Sequence, residues 1–474
     1  MSQTITIDPV TRLEGHGKIT IHLNDQGEVE NANFHVTQVR GFEKFSEGRP
    51  FYEMPSLMAR ICGICPVSHL IASAKACEAI MSVRIPHTAA QLRRMLNLAQ
   101  MVQSHALSFF YLSSPDLLLG LDSDPANRHI FGVANAKPEL GRAGIGLRRF
   151  GQHIIELLGN KRIHPGWVVP GGVTEPLATA KRDEILGMIP EAYGNIKLAL
   201  SWYKQIADTF KPEIEVFGNF ASNYMGLINE DESIEFTDGA LRLIDSKGEV
   251  IADGITANQF PELIGEAVEP YSYTKFAYYK PLGYPEGSYR VGPLARLNIA
   301  KSMGTPLADE ELKLFKQLSN GPVQSSFYYH YARLIDILHG IEKIERILTD
   351  PLILDKHVRA TAGVNRLEGT GQAEAPRGTL HHHYKVDENG LMTWANLVIA
   401  TGQNNKAMNE GVLQASKHYI HDGKFSEGIL NRVEAVVRTF DPCLSCSTHA
   451  FGQMPLELKL ISAEGELVDR VVRD

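Results

Sequence analysis

The sequence predicts a mainly α-helical fold with small β elements, an α+β class in which long helices form the core and β-hairpins lie at the periphery. Three observations support this class. Apolar residues recur at helical spacing over long stretches, short alternating segments occur near both ends and in the middle, and no internal repeat or low-complexity tract interrupts the chain. At 474 residues, the chain is long enough to bury a sizeable core.

The β elements are expected at three places along the chain. Each consists of two short apolar or alternating runs around a turn that contains Gly, which is the pattern of a β-hairpin. The paired runs are residues 18–23 with 28–38, 241–244 with 249–251, and 456–461 with 467–472.

Three long helices are expected between these hairpins. Apolar side chains recur at helical spacing in each, and two of the three end at a Ser-Pro or Asp-Pro pair. Pro190 weakens the remaining helix, because a proline inside a helix removes a backbone hydrogen bond. The predicted helices cover residues 89–111, 183–210 and 326–349.

The charge balance narrows the class of function. Lys and Arg number 47 and Asp and Glu number 55, which gives a net charge of −8 and argues against a nucleic-acid-binding protein. No apolar run reaches the roughly 18 residues that a membrane helix needs, so no transmembrane segment is expected. The first nine residues lack a basic region followed by an apolar stretch, so no signal peptide is expected and the predicted compartment is the cytoplasm.

The cysteines carry the clearest functional signal. Four of the five form two C-x-x-C pairs, Cys62 with Cys65 and Cys443 with Cys446, while Cys77 stands alone and is expected to be a buried core thiol. In a reducing compartment such pairs indicate metal or redox chemistry, since thiolates are soft ligands for Zn, Fe, Ni and Cu(I). A four-cysteine zinc site is one interpretation, although small zinc modules space their pairs by only about 15–20 residues. A thioredoxin-like site is a second, but the βαβ context that it requires is missing.

The residues around the pairs add to this signal. The first pair lies in Arg60-Ile-Cys62-Gly-Ile-Cys65-Pro-Val-Ser-His69, and the second in Asp441-Pro-Cys443-Leu-Ser-Cys446-Ser-Thr-His449. Each pair has a histidine a few residues downstream, where an imidazole can join a metal site or hydrogen-bond a ligating sulfur.

Together, the two motifs resemble those of the large, catalytic subunit of a [NiFe] hydrogenase. The similarity extends over nearly the whole chain, and two segments together with the length of the chain look most like the bidirectional NAD-linked subgroup. The other segments that match the family are Asp8-Pro-Val-Thr-Arg-Leu-Glu14-Gly-His16, Arg40-Gly-Phe-Glu43, His164 to Gly172 and Glu374-Ala-Pro-Arg377-Gly378. The two segments that resemble the subgroup are Ser104 to Phe110 and Tyr289 to Leu297.

The resemblance implies a large-subunit fold and a nickel ion held by four thiolates. Cys62 and Cys443 would bind Ni alone, whereas Cys65 and Cys446 would bridge Ni to an iron that carries one CO and two cyanides, Fe(CN)2CO. It implies reversible heterolytic cleavage of H2 to protons and electrons, with Cys443 as the thiolate that takes the proton.

The resemblance also assigns roles around this centre. Glu14 is the expected proton relay, because a relay needs a carboxyl group of tunable pKa beside the site. Arg377 would lie over the open metal face and pair with Asp441, since a guanidinium there could polarise H2 or hydrogen-bond cyanide. Thr401 is expected to hydrogen-bond a cyanide, and His69 to lie close to a bridging cysteine.

Two further assignments concern the surroundings of the centre. Glu43 and His449 match the ligands of a Mg²⁺ ion, for which carboxylates and waters are the usual ligands. Many relatives have an Asp immediately before the histidine that aligns with His105, whereas this chain has Ser104. The site is therefore expected to have one carboxylate fewer.

The C-terminal residues and the partners follow from the same resemblance. Residues 1–449 are expected to form one catalytic unit, and residues 450–474 to be an extension that an endopeptidase removes during maturation, with a chaperone assisting. With four of five cysteines in the metal site and no G-x-G-x-x-G fingerprint, the chain cannot hold its own iron–sulfur cluster or NAD. Those cofactors are expected on a small hydrogenase subunit with Fe–S clusters and on a diaphorase with flavin, Fe–S clusters and NAD.

Several alternatives remain open from the sequence alone. The electron acceptor could be NADP or a deazaflavin instead of NAD. The chain could also be a non-catalytic scaffold related to respiratory complex I, although all four cysteines are present, or an H2-sensing regulatory subunit, although the C-terminal extension argues against it. The triplet His381-His-His383 is expected to be an exposed or packed cluster on a strand.

Overall fold

The computed structural model describes residues 3–448, 456–463 and 465–473. Helices hold about 47% of the chain and strands 21%, which confirms the α+β class. The helices are α1 (Phe42–Phe45), α2 (Met54–Met58), α3 (Pro66–Met81), α4 (His87–Ala106), α5 (Ser114–Leu119), α6 (Ile130–Ala136), α7 (Pro138–Gly159), α8 (Thr179–Ile206), α9 (Lys211–Val216), α10 (Phe260–Leu263), α11 (Pro293–Ile299), α12 (Pro306–Lys316), α13 (Tyr329–Thr349), α14 (Ala400–Tyr419) and α15 (Glu427–Phe440).

The strands are short and fall into separate small sheets. They are β1 (Gln3–Ile7), β2 (Gly17–Leu23), β3 (Val29–Val36), β4 (Val168–Val169), β5 (Gly172–Val173), β6 (Asn223–Ile228), β7 (Ala240–Ile244), β8 (Val250–Ile255), β9 (Ile264–Ala267), β10 (Phe276–Tyr279), β11 (Tyr289–Arg290), β12 (Glu368–Ala375), β13 (Gly378–Val386), β14 (Met392–Val398), β15 (Leu456–Ile461) and β16 (Leu467–Arg473).

Long helices form the core, as predicted. Helix α4 packs against α7 and α13, and α8 packs against α7 and α13. The three predicted helices are confirmed as α4, α8 and α13, and α4 continues into a π-helical segment, Leu107–Ser113. Helix α8 runs through Pro190, because packing of its apolar face outweighs the lost hydrogen bond.

The predicted hairpins are parts of larger sheets at two of the three places. The N-terminal pair forms β2 and β3, and β1 joins β2 as a third antiparallel strand. The middle pair forms β7 and β8 within a four-stranded sheet of order β11-β6-β7-β8, in which β11 and β6 are parallel. Near the C-terminus, β15 pairs with β16 alone, as predicted.

A three-stranded antiparallel sheet, β12-β13-β14, is a difference from the predicted architecture. Its first two strands are buried on both faces, so their residues do not alternate between apolar and polar, and periodicity gives no signal. Helix α3 packs directly on β12, where Gly369 and Gly371 let the helix backbone approach. This sheet therefore belongs to the core and not to the periphery.

Within the described ranges, no helix combines the length and the apolar character that crossing a membrane requires.

Candidate metal centre

The fold brings the two cysteine pairs together from opposite ends of the chain. Cys62 and Cys65 precede α3, whereas Cys443 and Cys446 follow α15. The Sγ atoms of Cys62 and Cys443 are 3.5 Å apart, those of Cys65 and Cys446 are 3.9 Å apart, and all four lie within 4.8 Å of one another. The structure joins Cys443 to Cys446 as a disulfide. All four side chains are buried, so as thiolates they would form one closed set of soft ligands.

Local hydrogen bonds distinguish the first two thiols. The backbone N–H groups of Ile64 and Cys65 donate to Cys62 Sγ at 3.2 and 3.1 Å. Burial opposes ionisation of Cys62, but these bonds, the Cys65 side chain and the charge of Arg377 outweigh it and lower the pKa of Cys62. The hydrogen bond to Cys62 and burial raise the pKa of Cys65 well above its ordinary value. A cation at this place would favour ionisation of both thiols.

Glu14 lies directly beside the second cysteine pair. Its backbone bridges to Cys443 in parallel register, and its carbonyl oxygen accepts a hydrogen bond of 3.1 Å from Leu444 N–H. The carboxylate accepts hydrogen bonds from Ser445, one from the backbone N–H at 3.2 Å and one from the hydroxyl. Gly15 has φ +94°, and a Cβ there would lie 2.7 Å from Leu444 Cβ. The close approach of the two segments therefore requires glycine.

Arg377 and Asp441 form a buried ion pair beside the cysteines. Arg377 Nε donates to the carbonyl of Asp441 at 2.6 Å, and Nη2 donates to its Oδ1 at 3.1 Å. Burial opposes the charge of Arg377, but Asp441 and the two thiols Cys65 and Cys62 outweigh it and raise the pKa of Arg377. Arg377 Nη1 donates to Ser104 Oγ at 3.4 Å, so Ser104 faces this group as a neutral hydroxyl.

Asp441 is held in an uncommon backbone conformation. It caps the end of α15 with φ 53°, a left-handed conformation that turns the chain from the helix towards Cys443. Burial raises the pKa of Asp441, although Arg377 and Arg333 oppose this shift.

Thr401 contacts the second cysteine pair, and His69 follows the first pair along the chain. Thr401 is near the start of α14, and its Oγ1 accepts a hydrogen bond of 2.9 Å from Cys443 N–H. Its hydroxyl therefore supports the Cys443 backbone. His69 lies in the first turn of α3, four residues after Cys65, which is the N-cap of this helix. Its Nδ1 lies 3.3 Å from Nε2 of His382.

The predicted Mg²⁺ ligands are described only in part. Glu43 Oε1 accepts hydrogen bonds from Leu397 N–H at 2.8 Å and from Asn396 Nδ2 at 3.4 Å. Burial raises the pKa of Glu43 to about 7, and the charge of Lys275 opposes this rise. His449 lies outside the described residues.

Two contacts were not predicted. Ser445, between the second pair of cysteines, holds the Glu14 carboxylate; its place inside C-L-S-C was the available signal. His382 belongs to the histidine triplet on β13, where His381 and His382 are fully buried and His383 is nearly so, as expected for a packed cluster. Its contact with His69 joins residues 313 positions apart, and no sequence pattern indicates such a distant pair.

The donor set is suited to soft or borderline metals. Among the residues with described positions, the four cysteines are the one group of three or more His, Cys, Asp or Glu side chains able to hold a metal ion. By their chemistry alone, four thiolates can hold Zn, Ni or Fe. A carboxylate beside Cys443 and a guanidinium beside the sulfurs add a base and a fixed positive charge, which a purely structural zinc site does not need.

Family comparisons cover most of the chain. Residues 40–126 and 227–449 match the family described as nickel-dependent hydrogenase, and residues 4–39 match the one described as HoxL-like. The chain is 40% identical to the NAD-reducing hydrogenase HoxS subunit beta of Cupriavidus necator, with 100% of each chain covered. It is also 40% identical to a chain of the F420-non-reducing hydrogenase vhc of Methanococcus voltae, with 97% of this chain and 98% of the relative covered.

Solved structures agree with these matches. A crystal structure of an NAD+-reducing [NiFe]-hydrogenase in the H2-reduced state has a TM-score of 0.91 at 43% identity, and the match covers 94% of this chain and 99% of that one. The Ni-Fe-Se hydrogenase of D. vulgaris Hildenborough, as isolated and oxidised, shares the fold with a TM-score of 0.76 at 24% identity, over 95% of this chain and 100% of that one.

Proposed function

The chain belongs to the nickel-dependent hydrogenase family and is the catalytic subunit of a [NiFe] hydrogenase, and we propose that it couples the reversible cleavage of H2 to NAD+ and NADH through partner subunits. The observation that carries this proposal is the buried set of four cysteine sulfurs within 4.8 Å, with Glu14 and Arg377 beside it. The coupling to NAD is supported by the similarity to the NAD-reducing hydrogenase of C. necator and to the structure of an NAD+-reducing [NiFe]-hydrogenase.

The four thiolates would hold the metals. Cys62 and Cys443 would be ligands of nickel alone, and Cys65 and Cys446 would be shared between nickel and an iron that carries CO and two cyanides. The bound metals would supply the electrophile that polarises H2. Because burial excludes water from the four sulfurs, the charges of nearby side chains act on them more strongly than they would in water.

Proton handling would fall to Cys443 and Glu14. The Cys443 sulfur would take a proton, and the Glu14 carboxylate would receive it and pass it outwards. Support comes from the backbone bridge between the two residues and from the two Ser445 hydrogen bonds, which orient the carboxylate. Glu14 is only half-buried, so a proton on its carboxyl group is close to solvent.

Arg377 would provide a fixed positive charge over the sulfurs. Its two hydrogen bonds to Asp441 leave little freedom for the guanidinium, which is the property that electrostatic stabilisation requires. Thr401 would act mainly through the backbone of Cys443, because its described hydrogen bond is to that N–H group.

A Mg²⁺ ion would bind at Glu43 together with His449. Both described hydrogen bonds to the Glu43 carboxylate are received by Oε1, so Oε2 is the oxygen that would serve the cation. A bound cation would also keep this partly buried carboxyl group ionised, against the rise in its pKa to about 7.

Electrons would leave the chain through partners. Four of its five cysteines lie in the metal centre, and the fifth, Cys77, is buried on α3, so the chain has too few cysteines for a cluster of its own. We propose a small subunit with Fe–S clusters as the first acceptor, and a diaphorase with flavin and Fe–S clusters as the site of NAD. The assembly would work in the cytoplasm.

The extension after His449 would be removed in the mature protein by an endopeptidase, with a chaperone acting on the precursor. The hairpin of β15 and β16 is consistent with a removable segment, since its described apolar side chains, such as Leu458 and Val468, are exposed. The intact mass of the protein purified from its own host tests this, and we expect a chain that ends at His449. Active enzyme that retains residues 450–474 would contradict it.

The infrared spectrum of the complex from its own host tests the central proposal. We expect cyanide and carbonyl stretching bands, together with H2-dependent reduction of NAD+. Their absence from protein that lacks residues 450–474 would overturn the assignment of Fe(CN)2CO and favour a zinc site or a scaffold. If the bands are present but H2 reduces NADP+ or a deazaflavin and not NAD+, only the proposal of NAD as the electron acceptor would be rejected.

A further inference from the structure

A chain of four buried polar side chains begins at His69, in the first turn of α3 after Cys65. His69 Nδ1 lies 3.3 Å from His382 Nε2, and His382 Nδ1 lies 2.6 Å from the hydroxyl of Tyr384. The Tyr384 hydroxyl donates to Ser73 Oγ at 2.8 Å. All four residues are at most 1% exposed. Ser73 and His69 are four residues apart on α3, so the chain leaves the helix at His69 and returns to it one turn later.

The donation from Tyr384 to Ser73 sets the direction of the other two hydrogen bonds when His382 is neutral. Since the Tyr384 hydroxyl gives its proton to Ser73, its oxygen accepts from Nδ1–H of His382. A neutral imidazole carries one proton, so Nε2 of His382 accepts from Nδ1–H of His69. Burial raises the pKa of Tyr384 well above its ordinary value, so the phenol keeps its proton. The tautomer of His69 therefore depends on a hydroxyl two residues away in the chain of hydrogen bonds.

His69 is well placed to pass this dependence to the metal centre. It lies in the first turn of α3, directly after Cys65, which caps the start of this helix. With Nδ1 engaged by His382, Nε2 is the nitrogen that can serve the sulfurs. The hydrogen bonding of a sulfur ligand sets its electron donation to the metal, so residues behind the first ligand tune a metal centre.

We propose that His382 and Tyr384 are positioning residues of the metal centre, which set the tautomer of His69 and thereby its hydrogen bonding towards the cysteine sulfurs. The inference rests on the proposed function, because it assumes metals at the four cysteines. It goes beyond that function in assigning a role to two residues of β13 that touch none of the four sulfurs in the contacts described above.

The test is the infrared spectrum of Tyr384→Phe in the complete, metal-loaded enzyme. Phenylalanine keeps the ring but removes the hydroxyl, so His382 loses the partner that holds its proton on Nδ1. We expect the cyanide and carbonyl bands to shift while nickel content remains that of the unmodified enzyme. Tyr224→Phe is the matched control, because Tyr224 is equally buried but lies on β6, in another sheet. The Tyr224 hydroxyl donates to Val323 O at 3.3 Å. The infrared bands of this control variant should not shift.

Ser73→Ala is the second variant, since it removes the acceptor of Tyr384 and introduces only a small change of volume. It should shift the same bands in the same direction, and it decides the question if Tyr384→Phe does not accumulate as folded protein. Bands at unmodified positions in both variants would overturn the inference while leaving the proposed function intact. An unmodified enzyme without these bands would overturn the proposed function and this inference with it.

Discussion

Individual residues around Cys443 place a carboxylate and a guanidinium beside the sulfurs. Glu14 reaches Cys443 because Gly15 allows the two segments to meet and Ser445 holds the carboxylate. Arg377 is fixed by Asp441 and meets the neutral hydroxyl of Ser104. A carboxylate and a guanidinium therefore both lie near the sulfurs.

Glu14→Gln tests the carboxylate. Glutamine has nearly the same shape and can still accept hydrogen bonds from Ser445, but it does not take a proton at neutral pH. We expect H2 oxidation to fall by about 10²-fold or more, the usual size of a lost acid–base group, with unchanged metal content. Turnover with H2 and metal analysis measure the two quantities. Glu30→Gln is the control, because Glu30 is an exposed carboxylate on β3. Normal turnover of Glu14→Gln would reject the role of Glu14 as a proton relay.

At the scale of elements, helix α15 connects the N-terminal segment to the second cysteine pair. Arg438 on this helix donates to Thr11 O at 3.1 Å and to Asp116 at 2.9 Å. Asp116 also receives a hydrogen bond of 2.5 Å from Arg12, which has φ 56° and lies two residues before Glu14. The same helix ends at Asp441 and leads into the second cysteine pair, so α15 is connected to both the Glu14 segment and the cysteines.

Asp116→Asn tests this connection. Burial opposes ionisation of Asp116, but Arg438 and Arg12 outweigh it and lower its pKa, so the native residue is a carboxylate. Loss of one partner from a buried ionic network costs about 3–5 kcal/mol. We expect a lower urea midpoint, faster hydrogen exchange in residues 10–16 and slower H2 oxidation.

The control for this variant is Asp122→Asn. Asp122 pairs with Arg432 on the same helix, but its side chain is 68% exposed, and exposed pairs contribute at most about 1 kcal/mol. Unchanged exchange of residues 10–16 in Asp116→Asn would show that the network does not hold the Glu14 segment.

A second contact between elements that matters for the centre is the one between helix α3 and strand β12. Gly371 faces the helix backbone, and a Cβ there would lie 2.1 Å from Ala72 O. Since His69 and Cys65 are at the start of the same helix, the depth of this contact determines where they lie.

Gly371→Ala should force the helix and strand apart. Overpacking of a filled core costs about 1–3 kcal/mol, and we expect a lower urea midpoint by an amount in this range. Gly363→Ala is the control, because no atom lies within 4 Å of the added Cβ. Equal midpoints for the two variants would mean that α3 and β12 can separate at little cost.

At the scale of the whole molecule, burial keeps several histidines neutral. Burial lowers the pKa of His105 and His339 to about 4 and that of His330 and His381 to about 3. Between these values and about 6.5, the unfolded chain binds protons that the folded chain does not, so stability decreases as pH falls through this range. Above pH 7 these groups do not contribute to the pH dependence.

His330→Leu tests this effect at one position. His330 packs between Phe109 and Phe327, and Arg333 also lowers its pKa. Between pH 6.5 and 5, the difference amounts to about 2 kcal/mol for a single histidine. We expect the unmodified protein to lose more stability than His330→Leu over this range, as measured by urea midpoints at each pH. Parallel losses in the two proteins would show that His330 becomes protonated in the folded state.

Much of the centre was predicted from local patterns. The two C-x-x-C pairs with their flanking residues indicated a metal site, and the structure places Glu14, Arg377 and Asp441 beside the pairs, while the roles of these three residues stay predictions. The helices α4, α8 and α13 were predicted because apolar spacing along one segment is a local signal. The sheet of β12 to β14 was not, because strands buried on both faces lack alternation.

The sequence by itself determined the ligand types, the family to which they point and the helical core, since all of these are encoded in residues near one another along the chain. The tertiary structure alone decided that Cys62 meets Cys443, that Ser445 holds Glu14 and that His382 meets His69. These pairs are separated by more than 300 positions and come together only because α3, β13 and α15 pack into one core, a result of many weak contacts that no local pattern contains.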